Sequence, residues 1–224
     1  MIIGTTFPDF KVKSTIGELE FYKWADKSWV MLFSHPFDFT PVCTTELAEF
    51  SKRRKEFEDL GVKLLGLSVG TAEDHLKWSQ DICHYAGTKD LGFPIVEGTH
   101  ELIKMLCMTE IDTQHEGPIF SARTVYFISP TKELRAYLAY PASTGRSIDE
   151  LLRVMKSLQL FHKHSYLATP VDWQVTYKYI AIRKSNGPTS RFRRGRQEVL
   201  QRRNQDTRCS FREEVSTDGR SAVT

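Results

Sequence analysis

"SWVMLFSHPFDFTPVCTTELAEF", residues 28 to 50, joins two kinds of pattern in one short stretch. From 28 to 34 the apolar residues run almost without interruption, as a strand covered on both faces requires. After Pro41 the spacing changes: Leu47, Phe50, Phe57 and Leu60 recur at near-helical intervals, with Glu49, Lys52, Arg53 and Lys55 between them on the wet side. A buried strand passes through a proline turn into an amphipathic helix.

The same succession follows downstream. "VKLLGLSV" (62 to 69) reads as a second buried strand, and "TAEDHLKWSQDICHYA" (71 to 86) as a helix with Thr71 at its N-cap and Asp74 three residues on. Next come "FPIVEG" (93 to 98), a short helix "HELIKMLCM" (100 to 108), and two strands, "TVYFISP" (124 to 130) and "ELRAYLAYP" (133 to 141), parted by the turn residues Pro130, Thr131 and Lys132. In the last helix, "SIDELLRVMKSLQLFH" (147 to 162), Ser147 and Glu150 form a capping box. Strands alternating with helices, then an antiparallel pair and a closing helix, predict an α/β fold: a central mixed sheet flanked by helices on both faces, in thioredoxin-like order.

Composition bounds the function. The chain has 224 residues, 40% hydrophobic and 12% aromatic, enough for one good-sized core. No segment reaches the roughly 18 to 20 uninterrupted apolar residues of a membrane helix, and "MIIGTTFPDF" lacks a basic-then-apolar leader. A soluble, cytoplasmic protein without a membrane partner is expected. The four cysteines, Cys43, Cys83, Cys107 and Cys209, show neither CxxC nor zinc-ligand spacing, so thiols are expected rather than a disulfide scaffold or a metal. "HKH" (162 to 164) has no third ligand nearby, and no glycine cluster makes a phosphate loop, so no cofactor is expected.

The net charge of +3 is unevenly spread. Residues 174 to 224 hold 12 Lys and Arg, 10 of them Arg, against 5 acidic residues, whereas residues 1 to 173 hold 19 against 23. The Arg-rich stretch has few large apolar residues and is expected to be a disordered tail, because it cannot bury enough surface to offset its ordering entropy. Three accounts of it compete: a basic tail without function, a segment that binds nucleic acid or an acidic surface, and a product of splicing or reading frame. The abrupt change from Lys to Arg favours the last, and a nucleic-acid partner is not the leading expectation.

Cys43 stands out on position. Thr40 is the expected N-cap and Pro41 the first helical residue, which puts Cys43 in the first turn, where unpaired backbone N–H groups point outward. A thiolate there meets the positive end of the helix dipole. A free cysteine is more often a small buried hydrophobe, but a strand end followed by a proline turn and a helix start lies at the carboxyl edge of the sheet, where α/β ligand sites form.

"PFDFTPVC" fits the Pro-x-x-x-Thr-x-x-Cys signature of peroxiredoxins, and "SHPFDFTPVCTTELAEF" resembles the one-cysteine subfamily in particular. The resemblance runs from "GTTFPDF" through "SVGTAEDHLKWSQDI" and "YPASTGRSIDELLRVMKSLQL" to "ATPVDW", up to about residue 173. It implies a peroxidase domain over residues 1 to 165, the start of the family's C-terminal segment over 166 to 173, and a divergent remainder from 174 to 224. It also implies a thiol-dependent peroxidase that reduces hydrogen peroxide and organic hydroperoxides in antioxidant defence, through a sulfenic acid on Cys43.

The resemblance further implies that the Thr40 hydroxyl orients the peroxide, that Pro36 shields the thiolate, and that Arg123, in "SARTVYFI", steadies thiolate and transition state. His35, Glu46 and Arg146 form a second tier; His35 resembles the subfamily's histidine near the thiol, and Glu46, one helical step past Cys43, is placed to hold Arg123 or Arg146. By helical spacing Cys83 and Cys107 are expected to be core-facing or semi-buried.

Where the family's resolving cysteine would stand, "LATPVDWQ" (167 to 174) has none. That favours a one-cysteine cycle with an external thiol reductant, glutathione being a candidate, in a homodimer. Two alternatives stay open: a two-cysteine cycle with Cys209 resolving, and a tail-dominated nucleic-acid-binding protein with impaired peroxidase activity. The lipase-like GxSxG of some one-cysteine members is absent; the equivalent stretch places Lys27 before Ser28 without flanking glycines, and Tyr22 stands where the family has an upstream histidine. Phospholipase activity is therefore not expected.

Overall fold

Trp29, Met31 and Phe33 face one side of the strand Trp29–Ser34, Val30 and Leu32 face the other, and all five are buried. This alternation splits the core into two clusters, one on each face of the sheet to which the strand belongs. The computed structural model describes residues 1–110 and 120–175, with the backbone of 179–181 and 199–200.

In chain order, β1 (Lys11–Ser14) and β2 (Gly17–Glu20) lead through α1 (Phe21–Ala25) to β3 (Trp29–Ser34), α2 (Pro41–Lys52), α3 (Arg54–Asp59), β4 (Val62–Ser68), α4 (Ala72–Ala86), β5 (Ile95–Glu97) and α5 (His100–Met105). The short strands β6 (Thr109–Glu110) and β7 (Phe120–Ser121) pair with each other, and β8 (Arg123–Ile128), β9 (Leu134–Tyr140) and α6 (Ile148–Lys163) follow. Seven strands form the main sheet in the order β2-β1-β5-β4-β3-β8-β9. Pairing is parallel across β5, β4 and β3 and antiparallel elsewhere, the mixed thioredoxin-like sheet that the alternating pattern predicts.

One core cluster joins Met31 and Phe33 to Leu47 and Phe50 of α2, Trp78 and Ile82 of α4, and Leu151 and Met155 of α6. The other joins Val30 and Leu32 to Phe7, Phe21, Ile103 and Tyr126. Phe33 and Phe50 stack at 4.1 Å and 9°, with Phe93 edge-on to Phe33 at 5.4 Å, which fixes α2 against β3.

The capping residues act as their types dictate. Thr71 and Ser147 accept the backbone N–H of Asp74 and Glu150. The helix expected to run from Pro41 to Leu60 is broken at Arg53, which ends α2 with φ −99° and ψ 9° before α3 begins.

Cys107 corrects the reading from helical spacing: it is exposed. It sits just past the α5 cap with φ +53°, its N–H bonding to Lys104 O and the N–H of Met108 to Ile103 O, a Schellman turn with cysteine in the left-handed position. The spacing from Ile103 ends there, and Leu106 and Met108 are buried instead. Cys83, still inside α4, is half-buried and packs against the core.

The chain divides into two units, Met1–Ser165 and Tyr166–Thr224. The second contains a small antiparallel sheet of β10 (Leu167–Ala168), β11 (Tyr179–Ala181) and β12 (Val199–Leu200). Two of these strands belong to the stretch from 174 onward; apart from residues 174 and 175, the rest of that Arg-rich stretch, with Cys209, lies outside the described residues.

Candidate active site

Thr40 has the extended backbone of an N-cap, φ −105° and ψ 146°, and Pro41 opens α2, so Cys43 falls in the first turn. The Thr40 hydroxyl does not cap the helix; it donates back to Phe37 O at 3.1 Å. Cys43 has no exposed surface and belongs to the core cluster of Phe33 and Leu47. The position at the sheet edge therefore did not exclude burial: Pro41 and Val42 of the first turn are exposed, and Cys43 faces inward to the cluster of Phe33. The sulfur is packed among apolar side chains and also touches one buried cation.

That cation is Arg123. β3 and β8 run antiparallel with Phe33 opposite Val125, so the first residue of β8 lies beside the last turn of chain before α2. The guanidinium donates through Nε and Nη2 to Ala142 O at 2.9 and 2.7 Å. Nη1 is left to bond Cys43 Sγ at 3.4 Å and Glu46 Oε2 at 2.5 Å. Two carbonyl bonds hold the group flat and aim its free corner at the thiol.

Glu46, one helical step after Cys43, is 5% exposed and receives every bond its carboxylate can use. Arg146 meets it with its own backbone N–H at 2.7 Å and with Nε and Nη2 at 2.9 Å each, a bidentate fork, while Arg123 supplies the fourth donor. Arg146 Nη1 donates to Ser34 O at 2.8 Å, and its guanidinium lies over the Phe33 and Phe50 rings at 5.6 and 6.0 Å. Burial alone would push the Glu46 carboxyl up, but the Arg146 charge and hydrogen bonds, joined by Arg123, hold it below the usual carboxylate range.

The charge count of this cluster decides its chemistry. Two buried guanidiniums face one carboxylate, and the fourth member is a sulfur at hydrogen-bond distance. Unbalanced charge in a low-dielectric interior is costly, and the cluster holds its one unmatched positive charge beside the Cys43 sulfur.

His35 is fully buried, but among the described residues it makes no hydrogen bond to Cys43. Its Nε2 meets Asp38 Oδ1 at 2.9 Å, and Asp38 Oδ2 meets His75 Nδ1 at 2.5 Å. Pro36 is buried at the end of β3. Asp38, His75 and the Ala142 carbonyl did not emerge from the sequence reading. Asp38 lies within the quoted motif, as the only charge between Phe37 and Phe39, and that isolation was the available signal. No group of three or more metal-ligating side chains occurs among the described residues.

Residues 3–137 match the AhpC/TSA family model. Peroxiredoxin-6 of Rattus norvegicus is 44% identical over 181 residues, 78% of this chain and 80% of that protein. The chain belongs to the peroxiredoxin family. Among solved structures, peroxiredoxin 6 of Arenicola marina superposes with a TM-score of 0.78 at 42% identity, covering 81% of this chain and 84% of that one. A yeast mitochondrial 1-Cys peroxiredoxin, whose thiol is resolved via glutathione and thioredoxin systems, superposes at 0.74 with 40% identity over 81% and 86%. The chain is thus a thiol-dependent peroxidase of one-cysteine type on the family's fold.

Acid should loosen this peroxiredoxin in two steps. Burial holds His35 below the ordinary imidazole value, while paired donors hold Asp38 and Glu46 below the ordinary carboxylate values against the opposing effect of burial. All three bind protons more readily in the unfolded chain, so the stability they give is complete above the unfolded pKa and is lost as pH falls through the folded one. Urea midpoints are expected to be level from neutrality to about pH 6.5, to fall as His35 is forced to charge, and to fall steeply below about pH 4. A profile flat from pH 7 to pH 3 would contradict these assignments.

Proposed function

We propose that Cys43 is the peroxidatic cysteine and that Arg123, Thr40 and Pro36 complete its pocket, with Glu46 and Arg146 holding Arg123 in place. The observation that supports this is the shared corner of Arg123, bonded at once to Cys43 Sγ and Glu46 inside a cluster one negative charge short of balance. The Cys43 thiolate attacks the terminal oxygen of a hydroperoxide, forming an S–O bond as the O–O bond breaks. Cys43 becomes a sulfenic acid, and the departing oxygen takes a proton to leave as water or alcohol. The Arg123 corner lies where that oxygen gains charge. Thr40 spends its proton on Phe37 O, so its oxygen lone pairs remain to accept the peroxide O–H.

An external thiol then attacks the sulfenic sulfur, expelling water and giving a mixed disulfide; a second thiol releases Cys43 and leaves as the disulfide. The yeast relative's use of glutathione and thioredoxin supports this cycle. Cys83 and Cys107 are free thiols, half-buried and exposed, and Cys209 lies outside the described residues. One equivalent of peroxide followed by glutathione is expected to add one glutathione mass at Cys43, read by intact mass and peptide mapping. An intramolecular Cys43 to Cys209 disulfide on a non-reducing gel would instead establish the two-cysteine cycle.

A homodimer and a cytoplasmic site belong to the same reading. The first is supported by β9, an end strand of the main sheet, and the second by the free thiols. Sedimentation velocity and cell fractionation test them.

A further inference from the structure

Next to the thiol cluster lies a second buried polar group that the peroxide chemistry does not use. Asp38, in the turn between β3 and α2, places one carboxylate oxygen on His35 and the other on His75, which lies in the first turns of α4. Both imidazoles have no exposed surface. Their far nitrogens, His35 Nδ1 and His75 Nε2, are buried without a hydrogen-bond partner among the described residues.

The His35 ring lies 5.0 Å from Trp78, whose indole N–H donates to Thr44 Oγ1 at 3.2 Å, one residue past Cys43. The main chain here is held as well: His35 N–H donates to Leu67 O, and Ser121 Oγ donates to His35 O at 2.6 Å. Phe39, next after Asp38, has φ +55°, a left-handed conformation that a bulky residue adopts only where its surroundings over-determine it.

The protons of this group are fixed by its acceptor. The bonds from the two imidazoles hold the Asp38 carboxyl ionised against the pull of burial, and an ionised carboxylate only accepts. Each nitrogen facing it therefore carries hydrogen. Burial keeps His35 neutral, so its single proton is on Nε2 and Nδ1 is a bare lone pair.

We propose that Asp38 and His75 are positioning residues, a histidine–carboxylate–histidine clamp that ties the turn bearing Pro36 and Thr40 to α4 and fixes the His35 tautomer. The clamp holds Phe39 in its left-handed state, and through it the backbone that sets Thr40 at the N-cap and Cys43 in the first turn. This rests on the reading of Cys43 as the peroxidatic thiol. The clamp acts on how the peroxide pocket is set and touches no reacting atom.

The test uses Asp38→Asn, His75→Phe and His75→Asn in the full chain. A carboxamide accepts on one atom and donates from the other, so in Asp38→Asn one imidazole must change tautomer, and the ring 15N shifts of His35 or His75 are expected to move accordingly. His75→Phe is expected to lower kcat/KM for hydrogen peroxide about tenfold. His75→Asn, whose amide N–H can stand where Nδ1–H stands, is expected to recover most of that loss. Unchanged 15N patterns in Asp38→Asn, or wild-type kcat/KM in both Asp38→Asn and His75→Phe, or no recovery in His75→Asn, would each overturn the clamp. Should His75→Phe fail to fold, the isosteric Asp38→Asn decides the matter alone. Failure of the parent protein to form sulfenic acid on Cys43 would defeat the underlying reading and is seen by intact mass, separately from the NMR result.

Discussion

Cys43→Ser is expected to bring peroxide consumption down to background, a loss on the order of 10⁴-fold or more, because no other group in the cluster can form the S–O bond. The substitution is nearly isosteric at a site with no exposed surface, so the fold should persist and the loss be chemical. A serine hydroxyl stays protonated where a thiol ionises, and it cannot supply the negative charge that the two guanidiniums and one carboxylate leave wanting.

The matched controls are Cys83→Ser and Cys107→Ser. Cys83 packs half-buried on α4, and Cys107 sits in an exposed Schellman turn whose sulfur faces the N-terminal ammonium at 3.5 Å. Neither touches the Arg123 and Glu46 cluster, and both variants should keep most of the rate. Stopped-flow measurement of the second-order rate constant with hydrogen peroxide separates the outcomes. Substantial turnover in Cys43→Ser would move the chemistry to another thiol.

How much of this could be read in the sequence differs between fold and site. The order of the central strands and large helices was legible because β3 and β4 are continuous apolar runs and α4 and α6 carry their own caps at Thr71 and Ser147. The β1 and β2 hairpin went unread: "KVKS" and "GELE" are four residues each, mostly charged or small, and only sheet pairing shows them to be strands. The break at Arg53 was equally hidden, since the apolar spacing continues across it to Phe57.

At the site, local physics placed Cys43 at a helix start, but spacing could not bring Arg123 from 80 residues away. Only the resemblance did so, and the antiparallel register of β3 and β8 shows why it works. Asp38 and His75 were missed because their meaning lies in a contact across 37 residues of sequence, invisible until α4 packs against the turn. Cys107 failed for a simpler reason: helical spacing was extended past the helix and its Leu106 cap.

Arg123→Met and Glu46→Ala should separate rate from stability within the same cluster. Arg123→Met removes the only donor on Cys43 Sγ among the described residues while leaving Glu46 and Arg146 as a bidentate pair of net zero charge. The thiolate then lacks its counter-charge and the leaving oxygen its donor, and kcat/KM is expected to fall about 10²- to 10³-fold. Stability should suffer less, because methionine fills similar volume and the remaining ion pair is satisfied.

Glu46→Ala does the opposite: it strands two guanidiniums, both under a tenth exposed, with only carbonyls and the Cys43 sulfur as partners. Breaking a buried network in this way costs about 3 to 5 kcal/mol, and for a chain of this length the melting temperature should drop on the order of 10 °C. Activity in Glu46→Ala also falls, since Arg123 Nη1 loses the 2.5 Å bond that aims it, but the folded fraction at low temperature should still turn over faster than Arg123→Met. Calorimetry and stopped-flow rates on the two variants give the comparison. A larger melting loss in Arg123→Met than in Glu46→Ala would mean that Arg123 holds the fold together rather than the thiolate in place.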